Sequence, residues 1–114
     1  MEKAGIVAFA FGVPHNIQSN RWIAEIASRK ARELCASVYT QADVCDFEPG
    51  IRVEYTPEEP GNPPPTLRIA RGAVAWAQQN KLTILWVSAA RPHLWRCVRD
   101  LKYAIREGTV QTHR

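Results

Sequence analysis

Two stretches of strand length, residues 6–11 and 82–87, are apolar at nearly every position, reading IVAFAF and LTILWV. A strand with one wet face alternates apolar and polar residues, whereas a strand covered on both faces does not, and such strands belong to parallel sheets flanked by helices. Gly12, Val13 and Pro14 close the first stretch, and each stretch is followed by a helical apolar pattern. These features predict an α/β chain whose two buried strands are parallel neighbours.

The segments between them fill in the order. Ser19 or Asn20 can cap a helix reaching residue 36, with Ile23, Ile26, Ala27 and Leu34 on its inner stripe and Glu25, Arg29 and Glu33 forming i,i+4 pairs outside. Residues 37–40 form a short β-branched and aromatic strand, and residues 51–55 alternate like a strand nearer an edge. Five prolines between residues 56 and 65 demand a stiff, extended loop. Thr66 then caps a helix to residue 80 that buries Ile69, Ala70, Ala73, Val74 and Ala77, with Gly72 as a close-packing point. The last helix, residues 92–106, turns Leu94, Cys97, Val98, Leu101 and Ile105 inward, and the polar tail from residue 108 is expected to fray. The order β-α-β-β-α-β-α predicts a three-layer, Rossmann-like sandwich with a mostly parallel sheet of about four strands and right-handed crossovers. Residues 1–114 have room for one core, hence one domain.

Composition excludes several classes. The three cysteines, Cys35, Cys45 and Cys97, have no CxxC spacing, which argues against a disulfide framework or structural zinc and fits a reducing cytoplasm. No apolar run is long enough to cross a bilayer, and the amino end lacks the pattern of a signal peptide. A net charge of +4 favours encounters with phosphate but does not make a nucleic-acid binder, so nucleic acid is not an expected partner. No spacing of Asp, Glu and His suggests a metal site. Among four tryptophans, Trp86 is expected in the core and Trp22 and Trp95 partly outside it, where aromatic surface suits a homodimer contact.

In open parallel sheets, ligands bind beyond the carboxyl ends of the strands. Three loops should converge there: residues 12–20, 56–65 and 88–93. His93 begins the last helix just beyond a buried strand and can act as a general acid or base, while first-turn amides can hold an anion. Arg91 and Arg96 flank it with forked donors for phosphate or carboxylate. Glu54 is the other candidate catalytic group, as a base or as a ligand to a ribose hydroxyl. Gly12, His15 and Asn16 in the first loop, Asn62 in the proline loop, Thr66 and Ser88 complete the candidate ligand contacts. A single glycine is not a dinucleotide fingerprint, and Ser88 and Cys97 lack the surroundings of a nucleophile, so covalent catalysis is not expected. Arg99, Lys102 and Arg106 fit the solvated face of the last helix.

The stretch LTILWVSAARPHLWR, with its His93-x-x-Arg96 helix start, resembles the late strand-and-helix motif of the SanA/YdcF-like family of uncharacterised α/β proteins. The opening IVAFAFGVPHNIQSNRWI, and a strand ending in Glu54 followed by a Thr, here Thr66, that opens a helix, agree with it in order. The chain differs in its single Gly12, its longer, proline-filled interval between Glu54 and Thr66, and the later place of its histidine. The resemblance implies a Rossmann-like fold and a nucleotide-like ligand, with no settled reaction and no defined cofactor. The expected function is a small-molecule binding domain for an anionic ligand, with or without catalysis; the alternative is a protein-interaction or regulatory module.

Overall fold

The computed structural model describes residues 3–11, 18–57 and 65–112, with side chains described as far as Glu107. The chain runs β1 (Ala4–Ala8), α1 (Gln18–Leu34), β2 (Val38–Thr40), β3 (Val53–Tyr55), α2 (Thr66–Gln79), β4 (Ile84–Ser88) and α3 (Arg91–Thr112). One four-stranded sheet of order β3-β2-β1-β4 is parallel throughout. This is the three-layer α/β architecture the apolar runs predict.

The uninterrupted apolar run at the start has a direct cause. Successive residues of a strand face opposite sides. Ile6, Ala8 and Ala10 join Ile23, Ala24, Ala27 and Ala31 of α1 in one core, while Val7 and Phe9 join Ile69, Ala70 and Ala73 of α2 and Cys97, Leu101 and Ala104 of α3 in the other. Both faces of β1 are therefore dry. The alanines of α1 let its backbone lie close to the sheet. Gly72 does the same for α2: a Cβ there would run into the hydroxyl of Tyr39, which itself accepts a hydrogen bond from Thr56 Oγ1 at 2.8 Å.

β1 and β4 are neighbours in parallel register, Ala4 opposite Ile84 through Ala8 opposite Ser88. β4 is nevertheless an edge strand, and the expectation that both its faces are buried fails there. Trp86, expected in the core, is 45% exposed. Ile26 and Ile105, expected on inward stripes, are exposed as well. The shared reason is that each sits on the flank of its helix or strand that overhangs the open side of β4, where no further strand lies beneath it among the described residues. Trp22 and Trp95 are exposed as expected, whereas Trp76 is buried.

Helix starts also shift. α1 begins before Asn20, so Asn20 lies within its first turn rather than capping it. α2 is preceded by Pro65 with no side-chain cap, leaving Thr66 as the first helical residue. Outside α1, Arg29 pairs with Glu25 as expected, while Glu33 takes Lys30 instead. β3 is shorter than its alternating segment and does lie at an edge.

Candidate functional site

The carboxyl ends of the four strands carry a band of buried polar side chains. Thr40 Oγ1 donates to the carbonyl of Ala8 at 2.7 Å, and Gln41 Oε1 accepts from the amide of Ala10 at 3.1 Å. Asn20 Oδ1 accepts from the amide of Phe11 at 2.8 Å. Ser88 Oγ donates to the carbonyl of Ile23 at 3.1 Å, tying the end of β4 to α1. Five of the seven buried polar or charged residues among those described (Asn20, Thr40, Gln41, Thr56 and Ser88) lie along this edge. Backbone that leaves a parallel sheet loses its ladder partners, and these side chains replace them. They fix the departure of the chain at Phe11, before the segment that carries Gly12, His15 and Asn16.

At the same edge the first turns of α2 and α3 meet. Thr66 Oγ1 and His93 Nε2 stand 3.5 Å apart, and the half-buried His93 ring lies against Phe11 with centroids 6.2 Å apart. The N-cap of α2 is Pro65, which makes no side-chain cap bond, and the hydroxyl of the next residue, Thr66, makes this contact. Burial holds the imidazole below its ordinary pKa; the Arg96 guanidinium lowers it further and the Asp100 carboxylate partly opposes them. The environment thus favours the neutral ring, which has one nitrogen to donate and one to accept.

The remaining sequence candidates separate. Arg96 lies one turn after His93 on the same side of α3, close enough to act on its titration. Arg91, two residues before His93, falls on the opposite side of the helix and lines an outer groove with Trp95, Arg99, Lys102 and Arg106. Glu54 is exposed in the middle of edge strand β3, three strand spacings or about 14 Å from β4. Ser88 is buried and its hydroxyl proton is engaged by Ile23. Gly12, His15, Asn16 and Asn62, like the proline loop from residue 58 to 64, lie outside the described residues. The expected backbone anion cradle at α3 is reduced, since Pro92 has no N–H and His93 donates its own to the Ala90 carbonyl at 2.9 Å. Charge and hydrogen bonding at α3 therefore come from the side chains of His93 and Arg96.

Sequence reasoning missed Phe11, Asn20, Gln41 and Thr56. Asn20 and Gln41 each gave a signal, a polar residue next to apolar strand or helix positions, but their partners are set by the tertiary fold. Cys97 is fully buried, and burial pushes its thiol up to about 12, in keeping with its inward place and against a nucleophilic role. No group of three or more His, Cys, Asp or Glu side chains suited to a metal ion occurs among the described residues. No helix among them is long and apolar enough to cross a membrane.

Sheet and helices together define an open, all-parallel α/β fold with a band of hydrogen-bonded polar side chains at the strand carboxyl ends. Compared with protein-family models, with curated proteins and with solved structures, the chain gives no match.

Proposed function

We propose that this chain binds a small anionic ligand of the phosphate or nucleotide kind beyond the carboxyl ends of β1 and β4. The observation that carries the reading is the meeting of Thr66 and His93 at 3.5 Å, where two helix starts come together at the carboxyl edge of a parallel sheet. Arg96 supplies the formal charge, His93 a neutral donor or acceptor, and Thr66 a hydroxyl. Gly12, His15, Asn16 and Asn62 join the proposal on their sequence positions, in the segments that continue from the ends of β1 and β3. The resemblance to the SanA/YdcF-like family points the same way. If chemistry follows binding, His93 is the acid or base, as its lowered pKa leaves it able to accept a proton at neutral pH.

Thermal-shift screening against phosphate, sulfate and common nucleotides tests this. A bound anion at a hundredfold excess over its Kd stabilises the chain by about 2.7 kcal/mol. Arg96→Ala should remove the shift and Arg106→Ala should leave it. Equal loss in both variants would replace a site with diffuse charge, and no shift with any anion would end the proposal.

A further inference from the structure

The open side of β4 is bordered by apolar surface on both faces of the sheet. On one face Leu85 and Val87 pack at the margin of the core beside α2 and α3, and they line an apolar groove of about 360 Å³ with Val98 and Ile105 of α3. On the other face Trp86 is half-exposed beneath Lys30, whose ammonium lies 4.1 Å from the ring centroid. Trp22 and Ile26 precede Lys30 at i,i+4 intervals along α1, so the exposed apolar stripe of that helix runs down to the same edge. Two layers thus overhang an edge beside which no strand lies among the described residues.

The backbone of β4 is ready to pair there. The N–H and C=O of one strand residue point to the same side, and successive residues alternate. The amide of Ile84 reaches the Lys3 carbonyl and the Ser88 carbonyl accepts from Phe9, so Ile84, Trp86 and Ser88 face β1. Leu85 and Val87 therefore direct their donors and acceptors outward. The strand reads ILWVS, with none of the charges, prolines or bulges that blunt an exposed edge.

Charge selects the occupant. Arg91, Trp95, Arg99, Lys102 and Arg106 fall on one stripe of α3 and line the groove adjoining the apolar one, with Val98 and Lys102 common to both. Among the described residues no acidic side chain lines either groove. Pairing β4 with its own copy about a two-fold axis would bring two such basic stripes together, which costs energy. We propose that β4 accepts an added strand from a protein partner, an extended segment with apolar residues facing the two overhanging layers and acidic residues at its flanks.

The full chain is mixed with a synthetic peptide of alternating valine and threonine flanked by glutamates, and separately with the same core flanked by lysines. The glutamate-flanked peptide should slow amide exchange at Leu85 and Val87 by on the order of tenfold or more and change Trp86 fluorescence, while the lysine-flanked peptide does neither. The exposed double variant Arg99→Glu/Lys102→Glu should invert that preference without altering the unliganded fold. Equal protection by both peptides, or by neither, overturns the proposal. Slow exchange at Leu85 and Val87 without peptide, rising with protein concentration alongside a doubled mass in light scattering, assigns the edge to a second copy and overturns it too. Oligonucleotide binding to the α3 stripe with no change at Leu85 or Val87, and no effect of either peptide, does the same.

Discussion

Thr66 Oγ1 and His93 Nε2, 27 residues apart in sequence, come within 3.5 Å at the junction of the first turns of α2 and α3. The contact places an imidazole between a hydroxyl on one side and Arg96 and Asp100 on its own helix. Its titration is the most direct report on this junction.

His93 should titrate below its ordinary value, and Arg96→Ala should move it upward, because burial and the neighbouring guanidinium both disfavour the imidazolium. The neutral ring is the form the fold favours. Stability from this group is therefore complete above the unfolded-state pKa of about 6.5 and declines as pH falls through that value towards the lower folded one. His93→Gln should flatten this part of the stability profile. NMR titration of the ring and melting temperatures across the same pH range check both statements.

Gly72→Ala should destabilise the chain, although the same exchange at an open helix position gains about 1 kcal/mol. The added methyl meets the Tyr39 hydroxyl. Tyr39→Phe alone loses the hydrogen bond from Thr56. The double variant should be more stable than the two single losses added together, since the second change removes the atom the first collides with. Urea unfolding of all four proteins gives the coupling; strict additivity would show that the notch does not exist in solution.

Ser88→Ala should cost about 1 kcal/mol, the usual net value of a buried neutral hydrogen bond, because its hydroxyl ties the end of β4 to Ile23 in α1. Ser88→Thr keeps the hydroxyl and tests whether the space admits a methyl. Chemical denaturation of the three proteins separates the lost bond from crowding.

Amide exchange should be slowest at Ile6, Val7 and Ala8, which have strands on both sides, and faster at Leu85 and Val87, whose amides face outward. A chain in which β4 exchanges as slowly as β1 at every residue, at low concentration and without partner, would have its edge covered by something else.

Much of the fold is legible in the residues themselves. The apolar run of β1 reports two dry faces because it has them, and Cys97 reports an inward stripe because α3 buries it. The failures cluster on β4. An apolar run reports that water is unwelcome on both faces, not that a neighbour is present, so Trp86, Ile26 and Ile105 read as core although they are exposed and β4 lies at the edge of the sheet. Asn20 and Thr66 misled for another reason, since either residue type caps well and only the observed start of the helix decides. Of the candidate residues, His93 and Thr66 meet at one edge, and Arg96 lies one turn further along α3. The Gln41 amide and the Thr56 hydroxyl went unseen because their partners, Ala10 and Tyr39, are 31 and 17 residues away. Arg91 was misplaced by adjacency in sequence, which on a helix puts residues two apart on opposite sides.

The notch at Gly72 has one more consequence. An α-helix advances about 1.5 Å per residue, so sliding α2 by a single position would bring a side chain against the Tyr39 oxygen. Tyr39 works as an indexing pin: it sets the axial position of α2 from inside the core, and Thr66, six residues earlier on the same rigid rod, inherits that setting. The spacing between Thr66 and His93 is then independent of how the chain arrives at Pro65. The interval between β3 and α2 can be shortened, lengthened or exchanged while the helix start that follows it stays where the tyrosine has put it.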